Sequence, residues 1–270
     1  MEPTLTIVGL WLVFGGTHVG LATRGVRDRF VASLGELGFR ALYTLVASAT
    51  FAALVMFYAA HRFEGAPGLA LGRYAPLRVL LMGVVGLGVV LQIMGLIGYP
   101  RSPTSVARPR VQPALGVARI TRHAFFVGIA LLAGAHALLA TRLVGTVFFS
   151  ALAALAVIGS WHQDQKLIAL RGRAYADYVA STSAIPFVAI AAGRQPFAWR
   201  ELSFTGVALG IAAAIGLRRI HDSILAGDGV WFVAAVVAGA AIAGLASLWG
   251  ARRTRARAAI RPASLDAHAP

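Results

Sequence analysis

The 270-residue chain has no cysteine, and its Asp and Glu total only 10 against 25 Lys and Arg. The missing thiols exclude disulfides, iron–sulfur clusters, thiolate ligation and covalent c-type haem attachment, which leaves imidazole as the main candidate ligand for any metal. The carboxylates that do occur avoid the apolar runs, standing at Asp28, Glu36, Glu64, Asp164, Asp177, Glu201, Asp222 and Asp228 among others. A proton-driven transporter built on a midplane acid is therefore disfavoured. There is no P-loop, no GxSxG and no HExxH, so the common soluble-enzyme chemistries lack their motifs. Period-two alternation is absent as well, which argues against a membrane β-barrel.

What the chain has in abundance is apolar sequence: 58% of its residues are hydrophobic and only 13% are charged. The apolar residues fall in long runs without amphipathic spacing, the mark of a membrane protein. At about 1.5 Å rise per residue a span needs roughly 20 mostly apolar residues, and seven segments approach this, near 5–22, 37–60, 77–98, 122–140, 143–161, 203–217 and 230–250. Lipid leaves no partner for an open backbone, so the expected fold class is all-α, a polytopic membrane helix bundle of about seven transmembrane helices. No repeat and no linker divides the chain. Residues 1–250 are expected to form a single integral membrane domain, followed by a disordered basic cytoplasmic tail at 251–270 in which His268 has no role. The first segment carries Glu2 and no Lys or Arg before Arg24, and is taken as a retained helix, not a signal peptide.

Alternate sides of a seven-helix bundle hold nineteen and six of the 25 Lys and Arg. This bias predicts a bacterial-type inner membrane protein with the N-terminus outside and the C-terminus in the cytoplasm. The formal net charge of +15 then needs no nucleic acid to explain it, because it gathers beside anionic lipid. The loop at 99–116, YPRSPTSVARPRVQPALG, is proline-rich and basic and predicts an extended cytoplasmic connection. After the fifth span, DQKLIALRGRAYADYVAST predicts an amphipathic helix at the inner interface.

An imidazole inside a bilayer is costly unless paired or ligated, so His18 in the first span and His136 in the fourth are functional candidates, with interhelical hydrogen bonding as the plainer reading. Gly15, Gly16 and Gly20 bracket His18, and Ala133, Gly134 and Ala137 bracket His136; a flat macrocycle needs such low surfaces beside its ligands. Other small residues, at Gly83, Gly86, Gly88, Gly95, Gly98, Gly206 and Gly210, suggest close helix packing. His123 and His136 cannot hold one metal together, being separated by about 20 Å and about 140° of helix. His123 follows Arg122 at the inner edge, where a solvated, snorkelling pair is the favoured reading. His61 and His162 open loops, and His221 lies in a third.

The stretches THVGLATRG, LGELGFRALYTLVA, HRFEG, RITRHAFFVG, the AH at 135–136, HQDQKL and TSAIPFVAIAAGRQ resemble the NnrU family, which includes the 15-cis-zeta-carotene isomerases of plants and cyanobacteria. The resemblance runs from about residue 17 to 195. It implies a haem b (iron) cofactor held between two histidines, here His18 and His136, with Arg122 and His123 beside it. It also implies a lipid-soluble substrate such as a carotenoid. One departure is Ala133, where the plant isomerase has a cysteine on the face of the AH histidine. By depth alone, His18 pairs better with His123. A second likeness, TRHxxxxG followed by KLxxxxGxxYxxY, is to isoprenylcysteine and phospholipid methyltransferases, although Gln163 and Asp164 replace their glutamate pair. Three readings stay open: a haem-dependent carotenoid isomerase, an accessory or sensor protein of nitrite and nitric oxide respiration, and a methyltransferase. The topology is directly testable, because single cysteines at Arg108 and Gly65, in a chain with no thiol of its own, should label from opposite sides of the membrane. Labelling of both from one side would refute it.

Overall fold

The computed structural model describes residues 2–99, 102–105 and 111–242. The tail expected at 251–270 lies outside them. With inner and outer named by the arginine bias, helix α1 (Pro3–Ala22) runs inward; Pro3 sits in its first turn and the Glu2 carboxylate accepts from the Thr4 N–H at 3.1 Å. Both features suit a helix start, where backbone donors have no partner. Helix α2 (Arg24–His61) returns outward and is kinked at Gly35, whose φ of 70° and ψ of 170° break the helical ladder. An outer connection leads to α3 (Ala75–Gly98), then come α4 (Ala124–Leu139) and α5 (Leu143–Arg171). Helix α6 (Arg173–Ser181), helix α7 (Phe204–Arg219) and a helix over 230–242, α8, complete the described chain.

The all-helical expectation holds, but the number seven is not reached by length alone. Among the described residues, α1, α2, α3 and α5 are long and apolar enough to cross a membrane, while α4 and the stretch Gly227–Ile242 are shorter apolar helices. Helix α7 has 16 residues, and the segment expected to reach residue 250 is described only to 242. A second correction concerns α5. It does not stop at 161 but continues as one helix to Arg171, ending at Gly172 with φ of 59°, so His162 and Asp164 are helical and only α6 remains of the expected interfacial helix. Helices need not end where hydrocarbon ends when their polar residues find partners beyond it.

Close packing, the plainer reading of the glycines, is right for part of the set. A Cβ on Gly128 of α4 would lie 2.5 Å from the Gly88 carbonyl oxygen of α3, and one on Gly95 would lie 2.6 Å from the Phe125 nitrogen. On the other side of α3, a Cβ on Gly210 of α7 would lie 2.8 Å from Val90 Cα. Among the described residues, Gly83, Gly86 and Gly98 face nothing within 4 Å and serve no such contact. A separate core joins α1, α2 and α5 through Ile7, Trp11, Phe14, Leu54, Val55, Tyr58, Val144 and Phe148. There Tyr58 stacks on Phe148 at 4.1 Å between ring centroids, one of the offset aromatic pairs worth about 0.5–1.5 kcal/mol.

The α3–α4 crossing yields a test. Gly128→Ala should force the helices apart and destabilise the protein by about 1–3 kcal/mol, the usual scale of overpacking, read as a lower thermal midpoint in detergent. Gly83→Ala should leave the midpoint unchanged. Equal midpoints for both variants would show that the crossing is not tight.

Candidate functional site

The chemistry-bearing side chains gather at two levels. At the inner level the chain turns from Val117–Ile120, a single helical turn, into α4, and the Arg122 N–H donates to the Ser183 carbonyl at 3.0 Å while Thr121 Oγ1 donates to the Ala184 carbonyl at 2.7 Å. These bonds aim Arg122 and His123 at the extension of α5. Asp164 there accepts from Arg122 Nε at 3.0 Å and Nη2 at 2.8 Å on Oδ2, and from His123 Nε2 and Tyr175 Oη, each at 2.9 Å, on Oδ1. Side-chain exposure is 11% for Arg122, 1% for His123 and 7% for Asp164. The pair expected to snorkel into solvent is therefore a buried network, a correction whose cause is the carboxylate that meets it from 41 residues further on. Burial, with Asp164 adding to it, pushes the Tyr175 hydroxyl well above its usual range, so it stays a protonated donor.

Four donors fill the lone-pair sites of one carboxylate. The groups a methyltransferase would turn toward its cofactor are engaged with one another. A cavity of about 420 Å³ lies nearby, lined by Arg119, Tyr178, Ser181 and Gln195 among others. Arg119 is likewise occupied, in a two-pronged pair with Glu201 at 2.8 and 2.9 Å and a bond to Gln195 at 2.9 Å; that pair holds the Glu201 carboxyl below its usual range.

The second level lies within the bilayer. His18 meets Tyr43 of α2, whose Oη stands 3.2 Å from Nδ1 and 3.3 Å from Nε2, and Phe14 packs on the ring at 5.3 Å. Around it Gly15, Gly16 and Gly20 have, among the described residues, no atom within 4 Å of where a Cβ would be. His136 is held differently. Its Nδ1 bonds to the Leu132 carbonyl at 2.8 Å, and since a carbonyl only accepts, the proton sits on Nδ1 and Nε2 carries the lone pair. Phe149 of α5 packs against the ring at 4.8 Å. Beside His136, Ala133, Ala135 and Ala137 are buried, so this small-residue surface is covered by the protein itself, while Gly134 has open space.

The structure does not bring His18 and His136 into contact. Helices α1 and α5 run the same way, with Trp11 against Phe148 at 5.7 Å, and α4 runs against α5, with His136 at Phe149 and Phe126 at Gly159. On this register His18 lies about six residues, or about 9 Å, deeper than His136. His136 instead meets His221, from the turn after α7, at 6.1 Å between ring centroids and 15° between planes. Sequence reasoning passed over His221 as loop, and its neighbour, 85 positions away, leaves no local signal.

The donor chemistry at His136 fits a haem iron: a neutral imidazole with its second nitrogen fixed by a carbonyl and Nε2 open is the usual arrangement of a metal-binding histidine. The open glycine surface at His18 suits a flat ring as well. Among the described residues no group of three or more His, Asp or Glu could hold a bare metal ion.

A sequence profile of the family described as NnrU protein matches residues 6–250. The chain is 27% identical over 204 residues to a protein of Arabidopsis thaliana named 15-cis-zeta-carotene isomerase, chloroplastic, covering 72% of this chain and 52% of that one. It is 25% identical over 196 residues to the Zea mays protein of the same name, covering 69% and 50%. The chain thus spans about half the length of the curated relatives it matches. No solved structure matches it.

The buried network makes a prediction. Asp164→Ala would strand a buried arginine, and removing one partner of such a pair typically destabilises by about 3–5 kcal/mol. Asp177→Ala removes only the exposed Arg173 pair at 3.9 Å, a class of contact worth about 0–1 kcal/mol. The thermal midpoint in detergent should fall steeply for the first and hardly move for the second. Similar midpoints would mean that Asp164 is not a structural centre.

Proposed function

From the premise that the chain belongs to the NnrU protein family, we propose that it is a membrane-embedded, 15-cis-zeta-carotene isomerase-like enzyme that uses haem b to rotate a cis double bond of a lipid-soluble conjugated polyene. The likeness to two isomerases supports the reaction class. The observation that supports the cofactor is His136, an intramembrane imidazole whose Nε2 is left open by the Nδ1 bond to Leu132.

His136 and, by the family resemblance, His18 would hold the haem. When bound, haem iron supplies a centre that draws electron density from the conjugated system and so lowers the order of the cis bond, with no net redox change. The chain's own residues do the rest. The carbonyl of Leu132 fixes the His136 tautomer and ring orientation, as outer partners of ligating histidines do. Phe149 holds the ring from one face, and the apolar helices keep water from the reacting bond and let a polyene arrive from lipid. The inner network of Arg122, His123, Asp164 and Tyr175 positions the start of α4, and with it the histidine that α4 carries. The arginine bias supports placement in an inner membrane with the N-terminus outside.

The test is expression in a bacterium that accumulates 15-cis-zeta-carotene in darkness. Conversion should appear with the intact chain and fall by at least roughly tenfold in His136→Ala, the loss expected when a cofactor ligand goes. Haem-loaded protein that converts nothing would refute the isomerase reading and favour the accessory role in nitrogen-oxide respiration.

A further inference from the structure

The two intramembrane imidazoles are held in different ways. His136 needs only its own helix, through the Leu132 carbonyl. The ring of His18 finds Tyr43 on α2 instead, with Oη 3.2 Å from Nδ1 and 3.3 Å from Nε2. A hydroxyl has one proton, so it donates once and otherwise accepts. The same Oη lies 3.3 Å from the His18 backbone carbonyl, to which it donates. With its proton committed there, it can meet the ring only as an acceptor. A neutral imidazole has one N–H and one lone pair, and the ring nitrogen on the backbone side, nearest an oxygen tethered to the residue's own carbonyl, is Nδ1. We infer that Tyr43 is a positioning residue for His18: it fixes the tautomer with the proton on Nδ1, sets the turn of the ring, and leaves Nε2 free for haem iron.

The packing around the pair agrees with this. Side chains on a helix lean toward its N-terminus, which carries the His18 ring back over Phe14, at 5.3 Å between centroids, and toward Gly15. The ring is half-buried, and the bare helix surface at Gly15, Gly16 and Gly20 leaves room beside it, since among the described residues nothing lies within 4 Å of a Cβ placed there. Tyr43 is steadied from its own helix. Phe39, one turn earlier and buried, packs on its ring at 6.0 Å between centroids. Arg27 reaches across the kink at Gly35 to set its guanidinium 5.6 Å from the Phe39 ring, and pairs with Glu36 at 2.6 Å. The hydroxyl therefore stands at a fixed height on α2, and the imidazole on α1 is the partner that adjusts to it.

Tyr43 can play this part only if haem binds and His18 is one of its ligands, so its role rests on the reading above, and the test separates the two. Full-length, haem-free protein in detergent is titrated with haemin and followed at the Soret band and by electron paramagnetic resonance. Tyr43→Phe keeps the ring and removes only the hydroxyl. It should weaken haem binding by roughly 10–100-fold, the usual effect of losing an outer partner of a ligating histidine, and convert part of the low-spin signal to high-spin. The low-spin form that remains should have a raised midpoint potential, because an imidazole with no acceptor at Nδ1 is a less basic ligand. A merely structural tyrosine would shift the thermal midpoint and neither the spectrum nor the potential. Tyr74→Phe, at an exposed tyrosine before α3, should change none of them. Nitrogen-15 shifts of His18 in the unaltered haem-free protein, identified by their loss in His18→Ala, should show Nδ1 protonated and Nε2 bare; this measurement decides the matter if Tyr43→Phe folds poorly. Unchanged or tighter haem binding by well-folded Tyr43→Phe would overturn the inference, the tighter case meaning that the hydroxyl donates to the ring and blocks it. A proton on Nε2, or a low-spin spectrum that survives His18→Ala, would overturn it as well and leave the haem reading standing. Wild-type protein that takes up no haem would overturn both.

Discussion

Inside a bilayer there is no water to satisfy a polar side chain, and every imidazole in this bundle has to be satisfied by the protein or by something the protein binds. The intramembrane histidines meet that constraint in different ways. His18 is met by Tyr43 on the neighbouring helix, whose one hydroxyl serves one of its two ring nitrogens. His136 is only half closed: one nitrogen bonds to the carbonyl one turn back, and the other has no hydrogen-bond partner among the described residues. The unsatisfied nitrogen is the feature from which the functional reading grows, because a neutral imidazole of fixed tautomer is a metal ligand in waiting.

The rest of the molecule holds that nitrogen where it is. Helix α4 is short, with 16 residues, and cannot fix its own depth by hydrophobic length. It is instead gripped from three directions. The glycines Gly88 and Gly128 let α3 approach to backbone contact, Phe149 of α5 packs on His136, and Asp164 ties the first turn through Arg122 and His123. A shift of α4 by one turn would break all three together, so the depth of His136 is overdetermined.

Much of this was legible in the sequence, and the limits fall where distance along the chain enters. The apolar runs predict helices in a membrane because each carries its own evidence, residue by residue. The end of α5 was misplaced because hydropathy marks where lipid stops, whereas the helix continues as long as Gln163, Asp164 and Arg171 find partners such as the Thr104 and Ser105 carbonyls. Arg122 and His123 looked like a solvated pair because the acid that buries them is Asp164, on another helix. Gly88 was visible as a small residue of the third span, but its partner Gly128, on another helix, was not. His221 carried no signal at all: an exposed turn residue acquires meaning only from the ring that folding sets beside it.

The measurement closest to the central claim follows isomerisation against haem occupancy in one preparation. Purified protein is titrated with haemin, the bound haem is counted by its pyridine complex, and conversion of 15-cis-zeta-carotene in detergent is followed in darkness after reduction. The account predicts a rate that rises in proportion to occupancy and levels off at one haem per chain. Equal conversion by haem-free protein, or saturation of haem without any conversion, would contradict it.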